Sequence, residues 1–388
     1  MRDGEPGQRV VFVLESKFPV EIGGGAEGQV RTLGVALQSR GIPVEVIAPM
    51  VPYGAQMEHD SVDGLRVWRI PYPNVRAIGG IVMLSRLAWY LIRHRRQYDA
   101  IHAHIAHNMA AVACVVGVLL GKPIVVKITG WLEMQGGILS GRGMRLTAWA
   151  RRAAVRRATY YQATSQEIAH LLERHGFERE KIMRIPNAVD LNRFSPDATQ
   201  RDQHSCAPTR PLTGVFVGRL VPEKGLDTLI SAWLKTFDAT ANVQLTIVGD
   251  GPLREALEKQ VSIGSRQHQI RFVGRSQQVA RHLAESDFGL LPSLYEGLSN
   301  TLLEYMSSGL PVIGSRISGT QDLIQHRVTG WLVEPGSVAD METCLREVAS
   351  LDGARRQQMG RAGRERVAEL ASIQAVSDRL LRLYGFSC

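Results

Sequence analysis

The sequence predicts an α/β protein built from two doubly wound domains in tandem, and three observations lead to this prediction. Short apolar runs of strand length alternate with helical patterns along most of the 388 residues. The runs are continuously apolar, which is typical of parallel strands covered by helices on both faces. Between 191 and 212 the alternation stops and then restarts, which indicates a linker between two domains.

The first domain is predicted over 1–190 and begins with the apolar run RVVFVLE. A glycine-rich loop and a helix closed by Gly41 follow this run. The run MAAVACVVGVLLG (109–121) is too short to span a bilayer, so a buried helix is expected there. Seven strands are expected, at 9–15, 43–49, 65–71, 99–105, 123–130, 159–165 and 181–187.

The second domain is predicted over 213–371, after the polar and proline-containing linker. Its strands are expected at 212–220, 242–251, 269–274, 287–293, 310–315 and 329–336. Helical stretches close the chain, and the amphipathic last one, at about 372–388, is expected to pack back on the first domain. Ligands bind beyond the carboxyl ends of the strands in such sheets, so both sets of ends are expected to face one cleft.

Composition and charge narrow the classes of function. With 44% apolar and 21% charged residues the chain is an ordinary globular protein. Its net charge of +9 is uneven, because residues 1–190 hold 24 basic and 16 acidic residues and residues 191–388 hold 22 and 21. A basic first half fits an anionic partner, such as phosphate, nucleic acid or an anionic membrane, or serves solubility alone.

Cysteine usage and the N-terminus predict a cytoplasmic location. The four cysteines are far apart and form no CxxC, which disfavours both a zinc site and a disulfide framework. The N-terminal stretch MRDGEPGQRVVFVLE begins with polar residues and lacks the pattern of a signal peptide. A reducing compartment is therefore expected.

Two charged elements of the second domain are candidates for a binding site. VGRLVPEKG places Arg219 and Lys224 after a strand and before a helix, where two cations could hold a diphosphate. SLYEGLSNTLLE holds Glu296 and Glu304, and eight helical residues span about 12 Å, which fits a glycosidase carboxylate pair poorly. The two carboxylates fit better as acceptors along one extended ligand, such as a nucleotide sugar. A capped surface helix without a ligand is the alternative.

Other motifs give weaker signals. The glycines of GGG (23–25) and GDGP (249–252) allow close approach of backbone to a ligand, although either could be only a tight turn. GGG is not GxGxxG, which disfavours a dinucleotide site. HAHIAH (102–107) has three histidines without carboxylates, and the chain has no DxD or HExxH, so polar lining is favoured over a metal site. The sequence contains neither GxSxG, the motif of serine hydrolases, nor GxxxxGK[ST], the phosphate-binding motif of NTPases.

Taken together, the motifs resemble the retaining GT-B glycosyltransferases of family four. The resemblance covers almost the whole chain in the family's order, and its parts are GGGAE, IPNAVD, VGRLVPEKG, VGDGP, EGLSNTLLE with MSSGLPVIGS, and TGWLVEPG. The E-x7-E and R-x4-K elements are specific, whereas GGG and GDGP are weak alone. The resemblance implies two Rossmann-like domains facing across a cleft. It also implies hexose transfer from a nucleotide-diphosphate sugar with retention, without metal or another cofactor.

The resemblance implies a role for each matching residue. Arg219 and Lys224 would hold the donor diphosphate and stabilise the charge that develops as it leaves. Glu296 would contact the donor hexose, and the implied catalytic residues are therefore Arg219, Lys224 and Glu296. Glu304 would bind the ribose hydroxyls. The remaining implied donor-binding residues are Gly24, Gly25, Gly218, Gly249, Gly297, Leu298, Ser299 and Asn300.

One departure from the family concerns the acceptor side. The family usually has His-Gly after the fifth strand, but VVKITGWLE has Thr129 at that place. Threonine cannot act as that cation or proton carrier, so the site does without it, another cleft residue such as His104 substitutes, or the acceptor chemistry differs. The acceptor-side candidates are His104, Thr129 and Glu133. Two alternatives remain: a non-catalytic sugar-nucleotide binding subunit, motivated by Thr129, and a nucleotide-sugar epimerase, disfavoured by the E-x7-E spacing.

The acceptor is expected to be a growing, lipid-linked, cell-surface glycan. The stretches 79–97 and 138–161 interleave aromatic residues with arginines, which suits peripheral contact with an anionic membrane, although a solvated helix face is the alternative. A membrane-docking adaptor without enzyme activity is a third hypothesis. A UDP-sugar is the favoured donor and GDP-mannose the alternative. Nucleic acid is not an expected partner, because the sequence contains no recognisable binding module.

Overall fold

The computed structural model describes residues 8–20, 25–51, 56–75, 78–129, 146–196, 210–262 and 267–386. The chain divides into two compact units. The first unit contains Met1–Ala188 and Ile373–Cys388, and the second contains Val189–Ser372. Each unit is a predominantly parallel sheet with helices on both faces, so the α/β, doubly wound fold class is confirmed.

The first unit has an eight-stranded sheet in the order β3-β4-β2-β1-β5-β6-β7-β8. Its strands are β1 (Val10–Val13), β2 (Val44–Pro49), β3 (His59–Val62), β4 (Leu65–Ile70), β5 (Ala100–Ala103), β6 (Ile124–Ile128), β7 (Tyr160–Ala163) and β8 (Ile182–Arg184). Every residue of β1, β5 and β6 is buried, as continuously apolar central strands require.

Helices cover both faces of this sheet. They are α1 (Ala26–Ser39), α2 (Ile78–Arg93), α3 (Asn108–Leu120), α4 (Leu146–Val155) and α5 (Gln166–Arg174), and the last helix of the chain, α13 (Ile373–Tyr384). Helices α2 to α5 pack on the face that carries Ile101, and α1 and α13 pack on the other. Successive strand residues point to opposite faces, so His102 lies on the face of α13.

The second unit has a six-stranded, fully parallel sheet in the order β11-β10-β9-β12-β13-β14. Its strands are β9 (Leu212–Val217), β10 (Val243–Val248), β11 (Ile270–Gly274), β12 (Phe288–Leu291), β13 (Val312–Ser315) and β14 (Gly330–Val333). Its helices are α6 (Leu226–Thr236), α7 (Arg254–Ser262), α8 (Val279–Ala284), α9 (Asn300–Ser307), α10 (Thr320–Leu323), α11 (Val338–Ser350) and α12 (Gly353–Ala371).

All thirteen strands expected from the sequence are present, and one strand was missed. Strand β3 pairs antiparallel with β4, so the expectation of a purely parallel first sheet is wrong at this edge. Asp63 and Gly64 form the turn with φ of 52° and 82°. An Asp-Gly pair between two short runs is the usual sequence signal for such a hairpin, and it was available in SVDGLRV.

Two further expectations can be compared with the structure. Helix α3 is buried along its first part, but Val118 and Leu119 near its end are exposed, so the helix is not wholly buried as expected. Helix α13 lies in the first unit, where the Tyr384 hydroxyl is 2.7 Å from His102 Nδ1. The domain boundaries drawn from the sequence stay a prediction, because 197–209 of the linker lies outside the described residues.

Candidate functional site

The strand order of the second unit reverses between β9 and β12. Strands β10 and β11 lie on one side of this pair, and β13 and β14 lie on the other. In open α/β sheets the loops diverge at such a switch point and leave a crevice for a ligand beyond the carboxyl ends of the strands. Gly218 and Arg219 directly follow β9, and the loop from Ser293 to Glu296 follows β12. Predicted site residues that lie far apart in the sequence therefore meet at this crevice.

Lys224 and Glu296 form an ion pair across the switch point. Lys224 Nζ lies 2.6 Å from Glu296 Oε1, and the two side chains are only 16% and 21% exposed. Glu296 Oε2 accepts a second hydrogen bond, of 3.0 Å, from the Ser293 hydroxyl. A lysine ammonium has three N–H donors, so Lys224 can bind a phosphate oxygen while it remains paired with Glu296.

Local structure holds Lys224 in this position. Lys224 ends a short 3₁₀ turn, Pro222–Lys224, and is followed by Gly225 with φ of 62°. A Cβ on Gly225 would lie 2.2 Å from the Pro292 carbonyl oxygen, so only glycine fits between the two connections. The Leu294 N–H also donates to the carbonyl oxygen of Glu223 over 2.8 Å. The connections after β9 and β12 are therefore packed backbone against backbone.

The side chain of Arg219 is much more exposed than that of Lys224. Its side chain is 77% exposed, and its guanidinium lies 3.7 Å from the Glu223 carboxylate. An exposed ion pair of this length contributes little to folding. The positive charge of Arg219 is thus held at the crevice mainly by its backbone position, next to the end of β9.

Glu304 lies in the second turn of α9 and is half-buried. Burial raises the pKa of its carboxyl from 4.5 to about 7, and the positive charge of Arg193 opposes this rise only in part. Among the described residues no side chain donates a hydrogen bond to this carboxylate. A desolvated carboxyl that titrates near neutrality is typical of a ligand-binding or catalytic position.

Tyr305, which sequence reasoning missed, positions α9 against the end of β9. Its hydroxyl accepts a 2.6 Å hydrogen bond from the Val217 N–H, and its ring is fully buried. A Cβ on Gly289 would lie 2.6 Å from the Tyr305 ring, so the glycine in FGLLP makes room for the tyrosine. The sequence offers only the neighbouring Glu304 as a signal, because the helical pattern does not reveal a partner on another strand.

The predicted glycines have different structural settings. Gly249 has φ of 144°, and a Cβ there would lie 1.8 Å from the Gly218 carbonyl oxygen. The backbone packing of this turn therefore requires glycine whether or not a ligand binds. A Cβ on Gly25, by contrast, would have no atom within 4 Å, and the φ of Gly25 is −69°. Gly24 lies outside the described residues.

The segment from Gly297 to Asn300 leads into α9. A Cβ on Gly319 would lie 2.8 Å from both the Gly297 carbonyl oxygen and the Leu298 Cα, so this segment packs closely on the loop before α10. Ser299 occupies the N-cap position with extended backbone, and its side chain forms no capping bond among the described residues. Loop packing rather than a side-chain cap therefore orients the start of this helix.

Of the three acceptor-side candidates, the structure describes His104 and Thr129. His104 has no exposed surface, stacks on His102 with 4.2 Å between ring centroids, and also contacts Phe12. Burial lowers the pKa of His104 well below 6.5. A substitute for the family histidine needs a ring that reaches the ligand, which this burial disfavours. Thr129 follows β6 and is half-buried, and Glu133 lies outside the described residues.

A resident metal site does not appear in the described part of the chain. No group of three or more histidine, cysteine, aspartate or glutamate side chains is arranged there to bind a metal ion. The described cysteines, Cys114 and Cys344, are buried and unpaired. The described residues also include no helix that is long and apolar enough to cross a membrane.

Two family models match the chain. The model described as Glycosyltransferase Family 4 matches residues 23–193, and the model described as Glycosyl transferases group 1 matches residues 211–350. A GDP-mannose-dependent alpha-mannosyltransferase of Mycolicibacterium smegmatis is 30% identical over 390 residues, covering 97% of this chain and 96% of that protein. An alpha-D-kanosaminyltransferase of Streptomyces kanamyceticus is 26% identical, with coverage of 92% and 98%.

Solved structures share the fold. The crystal structure of Anabaena Alr3699/HepE in complex with UDP superposes with a TM-score of 0.76 at 19% identity, covering 97% of this chain and 100% of that one. At this identity the likeness concerns the fold alone. It agrees with the tandem arrangement of the two doubly wound sheets.

Proposed function

This chain belongs to the family 4, group 1 glycosyltransferases, which have the GT-B fold, and from that premise we propose a specific reaction for it. It is a glycosyltransferase that uses a nucleotide sugar. In our proposal it moves a hexose from a UDP-sugar to a hydroxyl of a growing, lipid-linked cell-surface glycan, with retention at the anomeric carbon and without metal. GDP-mannose is the alternative donor, since the relative from Mycolicibacterium smegmatis is named for it.

The observation that carries the proposal is the Lys224–Glu296 pair at the switch point of the second unit. A cation beside a carboxylate suits the two parts of a nucleotide sugar. Lys224 and Arg219 would bind the diphosphate, and Glu296 would accept hydrogen bonds from the hexose hydroxyls. Glu304 would bind the ribose hydroxyls, and Tyr305 would keep α9 in register with β9.

In the proposed reaction the bond between the anomeric carbon and the diphosphate oxygen breaks as the acceptor oxygen bonds to the same face of that carbon. The acceptor proton passes to a donor phosphate oxygen. Negative charge develops on the leaving diphosphate, and Lys224 and Arg219 would stabilise it more in the transition state than in the ground state.

A lipid-linked acceptor is supported by one surface of the first unit. Ile78, Ile81, Trp89 and Ile92 are exposed and lie on one face of α2, as their spacing of three and eight residues requires. Between 64 and 166 the sequence contains many arginines but only two acidic residues, Asp99 and Glu133. Exposed apolar side chains amid positive charge suit an anionic lipid surface. We propose peripheral binding at the cytoplasmic face of a membrane.

The donor is tested by a calorimetric screen of the protein against UDP, GDP, ADP and common nucleotide sugars, first without metal and then with magnesium. We expect one diphosphate to bind without metal and to raise the melting temperature. The enzyme should then slowly hydrolyse the matching sugar and release it with the donor's anomeric configuration, as NMR can show. Binding without turnover under any acceptor would instead favour the non-catalytic subunit, and an absence of binding would overturn the proposal.

Membrane contact is tested by sedimentation with vesicles of phosphatidylglycerol and phosphatidylcholine. We expect binding to the anionic vesicles, and a large loss in the double variant Ile81→Ser, Trp89→Ser. Val35→Ser, an exposed apolar residue of α1 on the other face of the sheet, is the matched control. Equal binding of all three proteins would contradict this part of the proposal.

A further inference from the structure

The sheet of the first unit has its own switch point, between β1 and β5. Strands β2 and β4 lie beyond β1, and strands β6 to β8 lie beyond β5. The carboxyl ends of β1 and β5 are therefore the place in this unit where the topology leaves a crevice for a ligand. Glu15 follows β1 by two residues, and His107 follows β5 by four and directly precedes α3.

Glu15 and His107 form a hydrogen-bonded pair across this switch point. His107 Nδ1 lies 2.7 Å from Glu15 Oε1, while the Met109 N–H donates to Oε2 over 2.6 Å. The carboxylate is 13% exposed and the imidazole 40% exposed. Glu15 is thus an inner group that fixes both the start of α3 and the ring of His107, and the ring faces outward.

The partners of the ring decide its tautomer. A carboxylate only accepts hydrogen bonds, so Nδ1 carries the hydrogen toward Glu15. Arg151 of α4 lies on the other side, with its Nη1 3.1 Å from His107 Nε2. A guanidinium only donates, so Nε2 presents its lone pair. Asn108 completes the arrangement, because its amide donates to Glu15 Oε1 and its oxygen accepts from Arg151. Its amide nitrogen also lies 3.1 Å from His107 Nδ1, a longer contact than the 2.7 Å between Nδ1 and the Glu15 carboxylate.

This arrangement offers one acceptor and one donor side by side, at Nε2 of His107 and Nη1 of Arg151. A hydroxyl group both donates and accepts, and could replace the direct contact by donating to Nε2 and accepting from the guanidinium. A carboxylate or phosphate could use only Arg151 and would face the lone pair of the histidine. The chemistry therefore favours a neutral, hydroxyl-bearing ligand, such as a sugar.

We propose that the Glu15–His107 pair, with Arg151, binds a sugar hydroxyl of the acceptor at the switch point of the first unit. His107 and Arg151 contact the hydroxyl, and Glu15 is a positioning residue that acts through His107. The inference rests on the proposed function, and it assigns to His107 the acceptor contact that the sequence prediction gave to His104. Unlike His104, His107 reaches the surface.

Three variants separate ligand contact from fold. Glu15→Gln keeps an oxygen for the Met109 N–H but presents an amide N–H to His107 Nδ1, which forces the other tautomer and turns Nε2 into a donor facing Arg151. His107→Asn shortens the side chain and removes the acceptor at the Nε2 position, whereas His107→Gln can restore an oxygen near it. His170→Asn, an exposed histidine of α5, is the matched control.

The experiment uses the nucleotide sugar identified by the donor screen, a panel of p-nitrophenyl hexosides as acceptors, and water as the reference acceptor. We expect His107→Asn and Glu15→Gln to lower the ratio of transfer to hydrolysis about 10- to 100-fold, mainly through a higher acceptor KM. His107→Gln should recover part of this loss, and His170→Asn should match the wild type. Equal ratios in the wild type and His107→Asn would overturn the inference.

A second readout does not depend on turnover. In imidazole NMR spectra His107 should be the Nδ1–H tautomer in the wild type and the Nε2–H tautomer in Glu15→Gln. Titration with methyl hexosides should shift the Nε2 resonance of His107 and leave that of His170 unchanged. If no hexoside shifts His107 in a protein that binds its nucleotide, the inference is wrong. If the protein neither binds nor hydrolyses any nucleotide sugar, the proposed function fails instead.

Discussion

The two units place a carboxylate and a nitrogen base at the same topological position but build the pair differently. In the second unit Lys224 Nζ lies 2.6 Å from Glu296, and in the first His107 Nδ1 lies 2.7 Å from Glu15. The lysine pair carries full charges of both signs and suits a diphosphate and its sugar. The histidine pair presents the lone pair of His107 Nε2 and suits a hydroxyl. In our proposals the same topological position binds the charged donor in the second unit and a hydroxyl of the acceptor in the first.

The supporting backbone differs as well. Around Lys224 the loops are packed so closely that Gly225 and Gly249 have no room for a Cβ. Around the first switch point Gly25 has open space at its Cβ position. The Cβ position of Gly25 therefore has room for a side chain, whereas the turns at Gly225 and Gly249 are fixed by contact between main chains.

The largest expected effect tests this difference in packing. Gly249→Ala places a methyl group against the Gly218 carbonyl at a φ of 144°, so we expect a loss of at least about 3 kcal/mol of unfolding free energy. Gly25→Ala should change it by less than about 0.5 kcal/mol. Urea denaturation of both variants measures the contrast. If Gly249→Ala changed the free energy of unfolding as little as Gly25→Ala, both positions would tolerate a side chain equally well.

The next largest effect concerns the positive charge of Lys224 in the Lys224–Glu296 pair. Lys224→Ala should weaken binding of the nucleoside diphosphate about 100-fold, because a charged phosphate contact is lost at a partly desolvated site. Titration calorimetry measures this, with Lys235→Ala, an exposed lysine of α6, as the control. A collapse of the melting curve in Lys224→Ala would show that the pair serves the fold rather than the ligand.

Glu304 adds a dependence on pH to the stability of the second unit. Its folded pKa is raised from 4.5 to about 7, so the folded protein holds this proton more tightly than the unfolded chain. The wild type should therefore lose up to about 3 kcal/mol relative to Glu304→Gln as the pH rises from 4.5 through 7. Denaturation at pH 5 and pH 8 checks the sign. Glu304→Gln should also bind nucleotide more weakly, and equal affinity would argue against the ribose contact.

The smallest expected effects come from the groups that hold each carboxylate. Ser293→Ala removes a hydrogen bond to Glu296, and Asn108→Ala removes one to Glu15. Each loss is worth about 1 kcal/mol, or roughly fivefold in affinity. Ser293→Ala should affect donor affinity alone, and Asn108→Ala acceptor KM alone. If Ser293→Ala changed the acceptor KM, or Asn108→Ala changed the donor affinity, the two pairs would not serve separate ligands.

Much of the second site could be predicted from the sequence, because its residues come in short motifs next to strand ends. Arg219 and Lys224 follow β9, and Glu296 follows β12, so their meeting depends only on which strands are neighbours. Tyr305 could not be found this way. Its contact with Val217 joins positions 88 residues apart, and nothing in the local pattern of α9 reveals it.

The candidate site of the first unit could not be predicted from its sequence motif. HAHIAH contains three similar histidines, and the sequence does not tell which of them reaches solvent. His102 and His104 are two residues apart, at the end of β5, so they point to the same face and are buried, whereas His107 lies beyond the strand and its side chain is 40% exposed. The sequence offered His104 as one possible substitute for the family histidine, and its burial is what argues against that role.

By itself the sequence determined the fold class, thirteen of the fourteen strands in the described part of the chain and the motifs that identify the family. These follow from local hydrophobic runs and turn residues, which short-range physics controls. Tertiary structure alone decided which charged groups became partners. The Lys224–Glu296 and Glu15–His107 pairs, and the desolvation of Glu304, depend on strand order and burial, which join residues distant in the chain.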